Sequence, residues 1–578
     1  MRILFLTHSF NSLTQRLFAE LAARGHELSV EFDIADSVTE EAVALFRPEV
    51  VIAPFLKRAI PESVWKNVVC LVVHPGIKGD RGPSALDWAI ANAEATWGVT
   101  VLQANADMDA GDIWASAEFP MREARKSSLY RHEVTEAALQ ALLPALEGLA
   151  CASYTPDRLD YARPDVRGQL RPLMRQDDRR IDWARDDTLT VLRKIHAADG
   201  NPGVLDEVLG VACYLYDAHP ETTLRGPSPG AVIARRHGAI LRATRDGAVW
   251  ITHLKPVPGP NERTFKLPAA TVLGERLADV PESQVGDFPG GLSNTWREIW
   301  YEEEGEVGFL HFDFYNGAMS SAQCERLRDA FHDATQRPTR LIVLMGGRDF
   351  WSNGMHLNVI EAANSPADES WRSINAIGDV ALAVLSCESH LTVSALHGNA
   401  AAGGVFLALA ADEVWAREGV VLNPHYKNMG NLFGSEYWTY VLPRRVGMEA
   451  GKRLMQRRFP LLAREAAEIH LIDACLGSEG SFLADVRARA QCLACDPGLP
   501  HRLVVKRRQR ILDDEAKPLA AYRAHELERM KLNFYGFDSS YHVARYNFVA
   551  KVPHSWTPRH LARHRSRAYL NPEEAAVR

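Results

Sequence analysis

Twice in this chain a short apolar run ends in a glycine-bearing turn. The first is Cys70–Val73, followed at once by His74-Pro75-Gly76. The second is Thr392–Leu396, followed by Gly403-Gly404 and the apolar helical pattern Val405–Ala411. A buried strand that delivers the chain to such a turn places it at the carboxyl end of a sheet, where α/β folds bind their ligands. Glycine there lets backbone N–H groups come close to a ligand. Two such places, far apart in a chain of 578 residues, exceed what one hydrophobic core organises, so two or three domains are expected.

Around the first turn the pattern is βαβ. Ile3–Leu6, Leu28–Phe32, Val50–Ala53 and Cys70–Val73 read as strands, and Leu13, Leu17, Phe18 and Leu21 share one helical face. Ser12 is placed to cap that helix and Gly25 to end it. This rhythm predicts a parallel sheet covered by helices. Residues 151–168 are turn-rich and read as a linker. Short glycine-separated segments such as Gly230–Ile233 and Ala248–Ile251 then fit a small β-barrel. The turn-rich stretch Gly286–Asn294 marks another boundary, and from Trp296 the pattern resets. Val307–Phe314 alternates as a strand, Ala322–Thr335 is an amphipathic helix and Leu341–Met345 is a buried strand. From roughly residue 500 the chain is helical and basic, ending in an aromatic- and arginine-rich tail that is expected to clasp another domain. The expected α/β multidomain organisation is therefore 1–160, 169–284, 296–500 and 501–578.

Composition removes several function classes. The net charge of −7 lacks the basic surplus of a general nucleic-acid binder. No apolar run approaches the roughly 18–20 residues that span a bilayer, and the opening Met1–Leu6 is too short for a signal-peptide core. Eight scattered cysteines suit free thiols in a reducing compartment, and Cys492 and Cys495 have no second pair with which to hold zinc. A cytoplasmic enzyme with small-molecule substrates and no metal is expected, with neither nucleic acid nor membrane as partner.

At the first turn, His74 is suited to stabilise an oxyanion or move a proton, and a carboxylate would fix its tautomer. Asp109, after the strand Val99–Gln103, is the candidate carboxylate. The plainer alternative is a histidine that caps a strand and an aspartate that makes a turn. The ordered segments His74, Arg81-Gly82, Gly98-Val99-Thr100 and Met108-Asp109-Ala110-Gly111-Asp112 resemble the active-site region of 10-formyltetrahydrofolate-dependent formyltransferases. The resemblance implies catalysis by His74 and Asp109 and folate binding by Arg81, Gly82 and Asp112. Two departures stand out: Val72 replaces the family asparagine, and Pro75-Gly76-Ile77-Lys78 replaces Ser-Leu-Leu-Pro. An oxyanion-hole donor contributes about 3–4 kcal/mol, so its loss means either a crippled enzyme or a less demanding acceptor such as a thiol.

The segments Trp351-Ser352-Asn353-Gly354 and Ala402-Gly403-Gly404 resemble the paired oxyanion-hole segments of the crotonase (enoyl-CoA hydratase/isomerase) superfamily. The resemblance assigns the two donor N–H groups to Met355 and Gly403. It also puts Phe406 and Tyr426 where hydratases carry their two glutamates, so hydration of a double bond is not expected. Tyr426 and the nearby carboxylate Glu436 remain as proton-transfer candidates, with core packing and a solvated helix position as their bland alternatives. The run Lys506, Arg507, Arg508 and Arg510 suits either coenzyme A phosphates or a solvated helix face, and Arg545 is a second candidate ligand contact.

The order formyltransferase, accessory barrel and crotonase-like domain is similar to the HypX/HoxX family of nickel–iron hydrogenase maturation proteins, over nearly the whole chain. That resemblance implies carbon monoxide synthesis: formyl transfer from 10-formyltetrahydrofolate to coenzyme A, then decarbonylation of formyl-CoA, with hydrogenase assembly factors as partners. Two alternatives stay open, a formyl-CoA or acyl-CoA hydrolase and a non-catalytic folate- and CoA-binding scaffold.

Overall fold

The computed structural model describes residues 1–284 and 295–566. The expected boundary over Gly286–Asn294 and the end of the tail, residues 567–578, lie outside the described residues. The chain forms two compact units. One contains Met1–Pro258, Pro268–Glu282 and the segment from Pro553; the other contains Gly259–Leu267 and Ser283–Val552.

The first unit opens with strands β1 (Arg2–Thr7), β2 (Glu27–Phe32), β3 (Val50–Phe55), β4 (Val69–His74), β5 (Thr96–Gln103) and β6 (Ile113–Pro120). Their order is β2-β1-β3-β4-β5-β6. The first four run parallel, and β5 and β6 are antiparallel additions at one side, so the sheet is mixed rather than wholly parallel. Near-continuous burial along β1 to β3 fits a sheet covered on both faces. The antiparallel β4–β5 pair sets His74 opposite Thr100. The helix Ser12–Ala23 is capped by Asn11, whose side chain accepts from Thr14 N at 3.0 Å, so Ser12 is its first residue and not its cap.

After the turn-rich stretch come β7 (Val204–Val208), β8 (Val211–Glu221), β9 (Val232–Arg236), β10 (Ala239–Ala243) and β11 (Ala248–Pro256). They form an antiparallel sheet of order β7-β8-β11-β10-β9, closed over by the helix Thr188–Ala198. Arg125 pairs with the buried Asp217, and Lys126 meets Asp87 at 3.0 Å and the Asn201 carbonyl at 2.9 Å. These charged contacts tie the small β domain to the first sheet's helices.

The second unit contains β12 (Ile299–Glu304), β13 (Val307–Phe312), β14 (Leu341–Leu344), β15 (Phe350–Ser352), β16 (Leu391–Leu396), β17 (Asn399–Ala401), β18 (Glu413–Arg417), β19 (Val421–Asn423), β20 (Leu461–Leu462) and β21 (Ala474–Leu476). The large sheet runs β12-β13-β14-β16-β18-β21, and a smaller one runs β15-β17-β19-β20. Helix Ser321–Ala334 begins with a Ser320–Gln323 capping box.

The expected separate tail over 501–578 is not a body of its own. Helices Leu519–Tyr535 and Ser540–Val549 bury Leu519, Met530, Phe534 and Tyr541 in the second unit's core. The segment after Pro553 instead docks on β2, an end strand of the first sheet. Val30 N donates to Leu561 O at 3.0 Å, Phe32 N to Thr557 Oγ1 at 2.8 Å, and His564 meets Glu31 at 2.9 Å. The tail thus takes up N–H groups that an end strand would leave unpaired.

Candidate active sites

His74 ends β4 and is 4% exposed. Its Nδ1 lies 3.7 Å from Asp109 Oδ2, and its Nε2 lies 3.2 Å from Asp80 Oδ1. Asp109 adopts φ 53°, and its carboxylate accepts from Gly82 N at 3.1 Å. A non-glycine residue held in the left-handed region is costly and recurs at functional sites. The two residues expected to act together are therefore brought together, but the closer carboxylate is Asp80, which is 1% exposed. Arg171 Nε donates to Asp80 Oδ2 at 2.8 Å. The turn-rich stretch before Arg171 packs on this loop: Gly168 N donates to Lys78 O, Arg81 N to Gln169 O and Arg171 N to Arg81 O. Thr100 Oγ1 and Trp97 Nε1 hold the turn itself through the carbonyls of Gly76 and Pro75.

Arg81 and Gly82 line a cavity of about 410 Å³ with Pro83, Met108, Leu170 and Arg171. Met108 is 63% and Leu170 69% exposed, which leaves apolar surface at the mouth for a ligand to cover. Asp112 joins the sheet through its carbonyl, which accepts from Gln103 N at 2.9 Å; its carboxylate contacts neither His74 nor Asp109. Val72 pairs with Ala53 and Leu102 inside the sheet.

In the second unit, β15 and β17 run parallel with Ser352 opposite Ala400. This register brings the two glycine segments side by side: a Cβ on Gly354 would lie 3.5 Å from Gly403 N. Among the described residues, neither Met355 nor Gly403 spends its backbone N–H on another residue. Gly403 opens the helix Gly403–Ala408, and a Cβ on it would lie 2.4 Å from Glu436 Oε1. Only glycine leaves room for that carboxylate.

Tyr426 Oη donates to Glu436 Oε2 at 2.5 Å, and Ser435 N donates to the same oxygen at 3.2 Å. Both side chains are buried. Burial pushes the Glu436 carboxyl up to about 7, and burial with the neighbouring Glu436 charge lifts the Tyr426 phenol well above its ordinary range. Phe406 stacks on the Tyr426 ring with centroids 5.3 Å apart and planes at 20°. The two residues expected at the hydratase glutamate positions thus pack against each other.

Two candidate ligand contacts are engaged inside the chain. Arg545 pairs with Glu361 at 2.7 Å, meets His542 Nδ1 at 2.9 Å and lies over Tyr541. Lys506 pairs with Asp412 at 2.6 Å. Asp80 and Arg171 were not singled out by spacing. A charged residue in a glycine-bearing turn carries no periodic signal, and its partner lies 91 positions away. Among the described residues no His, Cys, Asp or Glu cluster fits a metal ion, and no helix is long and apolar enough to cross a membrane.

Comparison with known proteins agrees with this division. Residues 22–146 match the formyl transferase family, 173–261 the formyl transferase C-terminal domain and 311–559 the enoyl-CoA hydratase/isomerase family. The hydrogenase maturation factor HoxX of Bradyrhizobium diazoefficiens is 53% identical over 567 residues, 98% of each chain. The crystal structure of HypX from Aquifex aeolicus in complex with tetrahydrofolic acid superposes with a TM-score of 0.94 at 51% identity, covering 98% of this chain and 99% of that one. Methionyl-tRNA formyltransferase of Solibacter usitatus is 26% identical over 200 residues, 34% of this chain and 60% of that protein.

Proposed function

Since this chain belongs to the family of hydrogenase maturation factors that includes HoxX and HypX, we propose that it makes carbon monoxide for a hydrogenase metal centre in two steps. In the first, the formyl group of 10-formyltetrahydrofolate passes to the thiol of coenzyme A at His74. In the second, formyl-CoA is split at Tyr426 and Glu436 into carbon monoxide and free coenzyme A. Both steps belong in the cytoplasm, in keeping with eight free cysteines.

For transfer, the thiolate sulfur attacks the formyl carbon and the folate nitrogen leaves with a proton. His74, oriented by Asp80 and Asp109, handles that proton and the developing oxyanion. Arg81, Gly82 and the apolar mouth formed by Met108 and Leu170 suit a flat ring carrying a charged tail. The absence of the family asparagine at Val72 is tolerable because a thiolate is the better nucleophile.

The observation that carries the second step is the buried Tyr426–Glu436 hydrogen bond beside Gly403. A carboxyl poised near 7 is a competent base at neutral pH, whereas the phenol, with its titration pushed far upward, stays protonated. Glu436 is accordingly the base for the formyl proton and Tyr426 the fixed donor beside it. As the C–H bond breaks, its electrons become the carbon lone pair of carbon monoxide. The C–S bond electrons leave with the thiolate, which regains the proton from Glu436. The N–H groups of Met355 and Gly403 polarise the formyl oxygen meanwhile.

Separating the two sites by mutation tests the assignment. His74→Ala should make no formyl-CoA from folate yet release carbon monoxide from supplied formyl-CoA. Glu436→Gln and Tyr426→Phe should make formyl-CoA and release no gas, read by mass spectrometry of acyl-CoA species. Wild-type gas release by both Tyr426 and Glu436 variants would contradict the placement. Formate as the product of supplied formyl-CoA would make the second site a hydrolase.

A further inference from the structure

Glu526 takes no part in the chemistry above, yet it is 0% exposed on the helix Leu519–Tyr535. A carboxylate so buried needs partners. It accepts from Tyr437 N at 3.0 Å, Thr439 N at 2.8 Å and Thr439 Oγ1 at 2.6 Å. Those donors stand at the start of the helix Trp438–Val446, whose preceding residue Tyr437 offers no side-chain cap. Glu526 therefore caps this helix from a different element, where unpaired N–H groups and the helix dipole favour an anion.

The capped end is joined directly to the second site. Glu436 has φ 57° and Tyr437 φ 59°, two successive non-glycine residues in the left-handed region. Such a pair persists only where surrounding contacts hold it. The N–H of Tyr437 is the first backbone group after Glu436, and its bond to Glu526 fixes the peptide that aims Glu436 at Gly403.

We propose that Glu526 is a positioning residue for Glu436: it clamps the left-handed turn that presents the Glu436 carboxylate and holds a second negative charge behind it. This rests on the decarbonylation reading only in naming Glu436 as the base. Burial is the main push on both carboxyls, each lifted to about 7, and the Glu526 charge adds to the push on Glu436. Two neighbouring buried carboxylates resist ionising together. Three donors favour the charged form of Glu526 and so keep its negative charge behind Glu436. The other ionisable groups facing the pair are Tyr426, Tyr437, Cys324 on helix Ser321–Ala334, and Arg523, which is paired with Asp379 of helix Pro366–Leu385 at 2.6 Å.

The test is pH-difference infrared spectroscopy of the full-length protein, reading the protonated-carboxyl stretch that Glu436→Gln removes. Glu526→Gln keeps the shape and removes the charge, so the Glu436 midpoint should fall by about one pH unit. The pH profile of carbon monoxide release from supplied formyl-CoA should move with it, in kcat more than in KM. Thr439→Val removes one donor to Glu526 without touching its charge directly, and should shift the midpoint the same way by less. Glu526→Asp keeps the charge but shortens the reach, so it should retain the midpoint and lose kcat. If Glu526→Gln does not fold, Thr439→Val decides. An unmoved midpoint in Glu526→Gln, or in Thr439→Val where Glu526→Gln does not fold, overturns the proposal, even where wild type releases gas. A moved midpoint in a protein that releases no gas would keep Glu526 as a positioning residue and reject the decarbonylation reading instead.

Discussion

At the scale of single residues, His74 has two aspartates beside it rather than the one expected. Asp109 at 3.7 Å and Asp80 at 3.2 Å flank the two ring nitrogens of His74. Asp80 is itself held by Arg171 at 2.8 Å. Asp80→Asn should therefore cut formyl transfer on the order of 10- to 100-fold and leave gas release from supplied formyl-CoA unchanged, as steady-state assays of each half-reaction would show. Equal loss in both half-reactions would point to general destabilisation. His74 and Asp109 stand out in the sequence by motif order, Tyr426 by its offset from Ala411-Asp412, and Glu436 only as a nearby carboxylate; the structure brings the members of each pair together. Asp80 and Arg171 do not stand out. Their pairing depends on where a turn-rich stretch packs, and turn composition says that a chain bends without saying what it bends against.

At the scale of elements, both sites use a strand end followed by a close backbone approach. In the second, Gly403 opens a helix whose first turn lies against a carboxylate, and Gly404 packs on the Ser352 carbonyl. Gly403→Ala would set a methyl group 2.4 Å from Glu436 Oε1 and must displace that side chain. Gas release should fall at least 100-fold while formyl-CoA production persists; preserved release would mean Glu436 does not work from this position. The βαβ rhythm around the first turn and the pattern reset at Trp296 gave these elements directly, since burial imposes the 2- and 3.6-residue periods that a sequence displays. The helix cap at Asn11 in place of Ser12 shows the limit of that reading. Two adjacent polar residues cap equally well, and only the backbone conformation chooses between them.

For the molecule as a whole, the tail expected to clasp another domain returns to the first sheet. A basic, aromatic tail looks like a solvated or ligand-binding segment, but Leu561, Thr557 and His564 settle on β2. Glu31 is the anchor. Burial alone would raise its carboxyl, yet bonds from His564, Thr557 and Arg565 outweigh that and hold it below the ordinary 4.5. A depressed carboxyl contributes stability above its unfolded value and loses it as pH falls through the folded value. Docking should thus be intact at neutral pH and weaken below about 4.5. Hydrogen exchange at the Val30 and Phe32 amides, corrected for intrinsic rates, should show protection at pH 7 and loss of it in acid. Glu31→Gln should lose that protection already at pH 7, and unchanged protection in this variant would contradict the anchoring role.

The two units together are proposed to convert one formyl group into one molecule of carbon monoxide. The most direct measurement is to incubate the full-length protein with 10-formyltetrahydrofolate and coenzyme A and to trap released gas on deoxyhaemoglobin. The account predicts one carbon monoxide per tetrahydrofolate formed, with coenzyme A regenerated and no gas when either substrate is omitted. Tetrahydrofolate formation accompanied by formate and no carbon monoxide would contradict it.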